Sequence, residues 1–275
     1  MRVPGGSLSG SPTVLEDPPE AERVLRVSGL KVHFGGVKAV DGLSFSVKRG
    51  EIVSMIGPNG AGKTSAFNCI TGFYKPTEGR VTFKGRDITG FRPSRITKLG
   101  MSRTFQNLRL FQDLTVVDNV RTGEHTRVPE NLLDTVLHTP RYRRQERRSL
   151  EAARGWLDFV GYREPEDAAV SALPYGERRR VEIARALAAE PELLLLDEPG
   201  AGLNHNEKAD LLDLIRRIQA LGVSIVLIEH DMGLVMEVSE RVVVMNYGKE
   251  IADGTPDEVK ADPDVIEAYL GTEDD

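Results

Sequence analysis

The sequence predicts an α/β fold built on a mostly parallel sheet, and three observations carry that prediction. Short apolar runs at Glu51–Ile56, Leu193–Leu196 and Val223–Ile228 have the length and character of strands buried on both faces. Helical patterns separate them, at Arg180–Ala189 and Asn206–Ala220. The first run ends in a glycine-rich turn followed by a further helical pattern, and folds of this kind bind ligands at the carboxyl ends of their strands.

The elements follow in order. Residues 1–22 are rich in Gly, Ser, Pro and acid and lack an apolar stretch. They are expected to be a disordered leader and not a secretory signal. Residues 23–271 are expected to form a single domain. Val24–Val27, Leu43–Val47 and Arg80–Phe83 mix charged and apolar residues, as in a half-exposed antiparallel sheet, and Gly35-Gly36 marks a turn. They predict an N-terminal antiparallel β subdomain. Residues from Thr115 to Ala172 are charged, helical in pattern and lack a buried-strand run. This predicts a helical insert, with a helical subdomain over about 113–190. Residues 272–275 form an acidic tail.

Composition narrows the function. The chain carries 36 basic and 42 acidic residues, a net charge of −6, which argues against non-specific nucleic-acid binding. No apolar run approaches the ~18 residues of a membrane span. A cytoplasmic location is expected, with any membrane role supplied by partners. The lone cysteine, Cys69, has no internal disulfide partner and reads as a small buried hydrophobe. Five arginines in eight residues (Arg141, Arg143, Arg144, Arg147 and Arg148) read first as a solvated helical face. The sharper alternative is a contact with anionic lipid headgroups or an acidic partner.

Two stretches carry chemistry. Gly57-Pro58-Asn59-Gly60-Ala61-Gly62-Lys63-Thr64 matches the phosphate-loop pattern G-x-x-x-x-G-K-[ST], with Ser65 next in the helix. Glycines let the backbone curl so that successive N–H groups and the helix N-terminus meet phosphate oxygens. Lys63 is expected to add charge near the β- and γ-phosphates of ATP, and the Thr64 hydroxyl to ligate Mg²⁺. The run Leu193–Leu196 leads into Asp197-Glu198-Pro199. Asp197 suits the Mg²⁺ partner of a phosphate loop, and Glu198 suits polarising the attacking water.

From Val24 to Gly271 the chain resembles the ABC ATPase family. Ser102-Arg103-Thr104-Phe105-Gln106-Asn107 looks like its Q-loop, which implies that Gln106 reaches Mg²⁺ and the attacking water. Leu173-Pro174-Tyr175-Gly176-Glu177 occupies the place of the signature LSGGQ. There the helix start faces the γ-phosphate bound by the other subunit, so the resemblance implies nucleotide contacts from Pro174, Tyr175, Gly176 and Glu177. The sequence departs from the pattern at Pro174, Tyr175 and Glu177, and Gly200-Ala201-Gly202-Leu203-Asn204 ends in Asn where Asp is usual. His230 matches the switch histidine, and Phe34 the aromatic that stacks on adenine.

The Tyr-Gly signature, Glu229-His230-Asp231-Met232 and the tail Asp262-Pro263-Asp264-Val265-Ile266-Glu267-Ala268-Tyr269-Leu270-Gly271 are similar to those of branched-chain amino acid importer ATPases. So is Thr139-Pro140-Arg141-Tyr142-Arg143-Arg144, which fits the longer of the two ATPases of such importers. The resemblance implies a second ATPase subunit, alike or different, two membrane permeases and a solute-binding protein. It places the chain on the inner face of the cell membrane. A lipid or lipopolysaccharide export ATPase is the alternative, on the stretch Gly176–Ile183. A soluble ABC-type ATPase of DNA repair or translation is disfavoured, since the chain shows neither long coiled coils nor two ATPase halves.

Overall fold

The computed structural model describes residues 22–124 and 140–270. The leader, the acidic tail and Thr139 lie outside the described residues, apart from Glu22 at the leader's end. The antiparallel sheet is longer-stranded than the sequence predicts. β1 (Arg23–Phe34) and β2 (Val37–Lys48) form one hairpin, which turns at Gly35-Gly36. Gly35 has φ 58°, a left-handed value that glycine adopts without steric cost. β4 (Glu78–Phe83) and β5 (Arg86–Asp87) complete the order β2-β1-β4-β5. Apolar positions such as Leu25, Val27, Leu43, Phe45 and Val47 turn inward, and charged positions turn to solvent.

Six strands make the second sheet, in the order β10-β9-β3-β8-β7-β6. They are β3 (Ile52–Ile56), β6 (Met101–Arg103), β7 (Leu193–Asp197), β8 (Ser224–Ile228), β9 (Arg241–Asn246) and β10 (Lys249–Gly254). Pairing is parallel except for β10 on β9. Every residue of β3, β7 and β8 is buried, as the unbroken apolar runs predict. Each fully buried Val, Leu or Ile there contributes about 1.5–3 kcal/mol.

One side of this sheet packs with the antiparallel sheet and α1 (Lys63–Ile70), through Phe67, Ile70, Val53 and Met55. Cys69 lies in that core, and burial pushes its thiol up to about 12, so it is inert packing. The other side packs with α5 (Tyr175–Ala188) and α6 (His205–Ala220). The insert supplies α3 (Val116–Glu124) and α4 (Pro140–Phe159). Val116, Val120, Ala153 and Leu157 join Val181, Ala184 and Leu187 of α5 in one core. α3 approaches α5 so closely that a Cβ on Gly123 would stand 2.1 Å from the Arg185 carbonyl.

α2 (Pro93–Lys98), α7 (Met232–Val238), α8 (Pro256–Ala261) and α9 (Pro263–Leu270) complete the order. α5 starts at Tyr175, before the expected Arg180. Its opening turn is polar and carries no apolar period, so only the preceding Pro174 marks its start. Among the described residues no helix is long and apolar enough to cross a membrane.

Candidate functional site

The parallel strands deliver their carboxyl ends to one place. β3 runs into the loop Gly57–Thr64, whose backbone is fixed by close contacts. A Cβ on Gly57 would stand 2.0 Å from the Met245 carbonyl, and one on Gly62 would stand 2.1 Å from the Ala39 carbonyl. Both glycines have positive φ, 147° and 101°, so both position and conformation exclude a side chain. Gly60 also has positive φ, at 79°. Ala61 donates to the Pro58 carbonyl at 3.2 Å and accepts from the Gly248 N–H at 3.0 Å, which pins the loop to the β9–β10 turn. Asn59 is exposed on the loop. At the far end of the chain, the Tyr269 hydroxyl meets the Gly57 backbone.

Gly62 caps α1 without a side-chain hydrogen bond, and no acid lies in the first turn. The opening N–H groups, around Thr64 and Ser65, lack intrahelical acceptors and suit an anion. Thr64 is exposed and Ser65 half-buried. Lys63 is only 5% exposed, with Nζ donating to the Gly57 and Pro58 carbonyls at 2.6 and 2.9 Å. Burial pulls its ammonium below the ordinary lysine range, and the nearby Glu198 and Asp197 oppose that pull.

β7 ends at Asp197, and Glu198 follows with φ 48°, a left-handed value unusual for a non-glycine. Its N–H still donates to the Ile228 carbonyl at 2.9 Å, so the ladder to β8 continues through the turn. The two oxygens of Glu198 have separate partners. Gln106 Nε2 donates to Oε2 at 2.7 Å, and His230 Nε2 lies 2.5 Å from Oε1. Three residues far apart in sequence thus meet on one buried carboxylate. The adjoining Glu229 accepts from the Gly200 N–H at 2.5 Å and the His230 N–H at 3.1 Å. Burial raises its carboxyl above the usual range, against those backbone bonds.

Asp197 is held on one oxygen only. Its Oδ2 accepts from Arg103 Nη2 at 2.6 Å, while its Oδ1 is buried without a hydrogen-bond partner. Arg103 also donates to Asn68 on α1 at 2.7 Å and to Thr71, the residue that caps α1, at 3.1 Å, and its guanidinium lies 5.0 Å from the Phe105 ring. A buried unpaired carboxylate oxygen suits a hard divalent cation, and α1, which Arg103 ties to Asp197 through Asn68, opens with the exposed Thr64. Among the described residues no cluster of three or more His, Cys, Asp or Glu would hold a metal alone.

Phe34 is 49% exposed at the end of β1 and meets Tyr74 edge-on at 5.2 Å, so it is not a core residue. The paired strand carries Ala39, which touches Gly62. The hairpin therefore lies against the phosphate loop through Ala39 and carries Phe34 exposed at its turn.

The signature stretch is built otherwise. Pro174 precedes α5 as its cap residue, without a side-chain capping bond. A Cβ on Gly176 would stand 2.8 Å from Glu207 Oε1, so α6 lies close beneath. Glu177 lies 3.6 Å from Arg180, its Oε2 is buried, and burial raises its carboxyl above the usual range. Among the described residues no hydrogen bond joins Pro174–Glu177 to the phosphate loop. Asn204 caps α6 in a reciprocal box: its side chain accepts from the Glu207 N–H at 3.0 Å, and Glu207 accepts from the Asn204 N–H at 2.8 Å. Asn and Asp cap about equally well, so this departure is locally neutral.

Sequence reasoning missed Arg103, Arg179, Glu182 and Glu229. The signal for two of them was present: Arg179 and Glu182 are charges set among the inward apolar positions of a helix.

A phosphate loop, a strand-end acid pair and a strand-end histidine on this two-sheet fold define an ABC-type ATPase. The ABC transporter family model matches residues 40–201, more than half of the chain, and the chain belongs to that family. A second model, of branched-chain amino acid ATP-binding cassette transporters, matches residues 249–275. The chain is 47% identical over 249 residues to the high-affinity branched-chain amino acid transport ATP-binding protein BraF of Pseudomonas aeruginosa, covering 90% of this chain and 98% of that one. It is 44% identical over 252 residues to LivG of Escherichia coli, a protein of the same description, covering 91% and 99%. A crystal structure of a nucleotide-free ATP-binding cassette from an ABC transporter superposes with a TM-score of 0.78 at 33% identity, covering 90% of this chain and 98% of that one.

Proposed function

We propose that the chain hydrolyses ATP to drive uptake of branched-chain or similar hydrophobic amino acids. The observation that carries the chemistry is the Glu198 carboxylate, held by Gln106 and His230 beside the phosphate loop. ATP binds with its phosphates on the loop N–H groups and Lys63, and its base against Phe34. Lys63 exchanges its two carbonyl bonds for phosphate oxygens. Glu198 takes a proton from the attacking water, while Gln106 and His230 fix the orientation of its two oxygens. Such a positioned base contributes typically 10²–10⁴-fold. Thr64, Asp197 and Gln106 would hold Mg²⁺, which supplies charge stabilisation to the phosphates when bound.

The start of α5 faces the nucleotide of a second ATPase subunit, alike or different. Its helix dipole and the Gly176 amide suit that role where Pro174 leaves no hydroxyl. Two membrane permeases and a solute-binding protein complete the assembly, which holds the chain at the inner face of the membrane. Relatives described as branched-chain amino acid transport proteins support this reading over the lipid-export alternative.

The test is uptake of labelled leucine in cells lacking the gene and any redundant importer, complemented with wild type or with Glu198→Gln. Rescue by wild type alone is expected. Unchanged uptake in the deletion strain would remove the amino acid assignment and leave the ATPase.

A further inference from the structure

Arg179 and Glu182 lie on the inner face of α5, with side chains only 2% and 1% exposed. A pair so deep is costly to desolvate and persists when further hydrogen bonds take up its donors and acceptors. Here those bonds converge on the loop that carries Gln106. Glu182 Oε2 accepts from Arg179 Nη1 at 2.9 Å, and its Oε1 accepts from the Phe105 and Arg109 N–H groups at 3.3 and 3.4 Å. Arg179 donates to the Phe105 carbonyl at 2.9 Å and the Gln106 carbonyl at 3.3 Å. The pair therefore grips Phe105 by both its N–H and its carbonyl. The Gln106 side chain on that segment then donates to Glu198 at 2.7 Å.

The other end of the pair reaches the signature turn. Arg179 Nη2 donates to the Tyr175 hydroxyl at 2.8 Å. The Tyr175 ring lies 3.3 Å from where a Cβ on Gly202 would stand, so it also rests on the turn that follows Glu198. An arginine presents its donors in a rigid planar fork, so one guanidinium can fix these acceptors at once.

We propose that the buried Arg179–Glu182 pair is a positioning device that links the Tyr175 turn to the Gln106–Glu198 hydrogen bond. The face this subunit offers to its partner's nucleotide thereby sets the geometry of its own catalytic base. Arg179 touches no nucleotide and acts through Gln106. Thr104 just before this segment is fixed to β7, its N–H donating to the Leu195 carbonyl at 2.9 Å, so a displacement of α5 is felt at Phe105 and Gln106, whose backbone bonds among the described residues run to the Arg179–Glu182 pair. The inference rests on the reading of Glu198 and of the signature turn given above.

The test uses the full-length chain with the subunits that copurify with it. Turnover and KM for MgATP are measured, together with binding of a fluorescent ATP analogue and the melting temperature. The neutral pair Arg179→Gln/Glu182→Gln removes both charges of the pair together, while Arg185, 3.9 Å from Glu182, keeps its bond to the Arg109 carbonyl at 2.5 Å. It is expected to lower kcat about tenfold with KM and analogue binding within about twofold. Arg179→Lys is expected not to rescue, since one ammonium cannot span these acceptors. In a Gln106→Ala background the neutral pair is expected to cost less than about twofold more, because its effect passes through Gln106.

Full additivity with Gln106→Ala, an unchanged kcat, or a loss that merely follows melting temperature and analogue binding would overturn the proposal. Should the neutral pair fail to fold, Tyr175→Phe cuts the link at its exposed end. It is expected to lower kcat about threefold, and to have no effect in the Gln106→Ala background. If Glu198→Gln itself keeps wild-type turnover, the underlying ATPase reading falls. If it is inactive while the neutral pair is wild type, only the present proposal falls.

Discussion

The phosphate loop and the signature helix of this protein are made from different materials. The phosphate loop is a backbone device: its donors are peptide N–H groups, and neighbouring carbonyls of Met245 and Ala39 force its shape. The signature helix is a side-chain device, in which Tyr175, Arg179 and Glu182 tie the helix to a distant loop through a buried ion pair. A backbone device depends on where side chains are missing, so glycine spacing reveals it. A side-chain device depends on which partners the fold brings near, and spacing along the chain does not reveal them.

Substitutions can break this contrast. The largest effect is expected for Gly62→Ala. Its added Cβ would meet a main-chain carbonyl at 2.1 Å in a left-handed conformation, with no flexible atom to yield. Loss of ATP-analogue binding in equilibrium titration is the expected result, with a folded chain by circular dichroism. Retained binding would show that the loop tolerates a shift that the packing forbids.

Next comes His230→Ala. It removes one of the two partners of Glu198 while leaving the phosphate loop untouched. Turnover is expected to fall about 100-fold with analogue binding preserved, as for loss of a group that orients a base. Equal loss of binding would mean that the two regions are not separable.

On the signature side, Asn204→Ala removes the cap of α6 under Gly176 and is expected to cost about 1 kcal/mol in chemical denaturation. Asn204→Asp is expected to be neutral.

The smallest effect concerns the sheet edge beside the phosphate loop. Burial, with Asp253 nearby, raises the Glu250 carboxyl to about 7. The native state then holds this proton more tightly than the unfolded chain does. Its contribution to stability is fully present below the ordinary carboxyl value and is lost as pH rises through about 7. Glu250→Gln is expected to flatten the fall in melting temperature between about pH 5 and pH 8. An unchanged slope would assign that fall to other groups.

The same contrast explains what was legible in advance. β3, β7 and β8 were readable because strands buried on both faces must be apolar throughout. The phosphate loop, Asp197 and Glu198 were readable because each lies at the end of such a strand, and His230 through family resemblance. The full length of β1 and β2 was not, since half-exposed strands carry charge and two register shifts near Leu30 break the alternation. The start of α5 was hidden by its polar opening turn. Family resemblance pointed to Gln106, but its hydrogen bond to Glu198 joins residues 92 positions apart and is visible only in the structure. Arg103, paired with Asp197, had no local signal, since its partners lie on α1 and β7.

Glu198 is the proposed base of this ATPase, and the groups proposed to hold ATP do not include it. The most direct measurement compares ATP binding and steady-state hydrolysis by wild type and Glu198→Gln in the assembled complex. Undiminished ATP binding with turnover reduced by at least about 100-fold is expected. Near-normal turnover in the variant would contradict it.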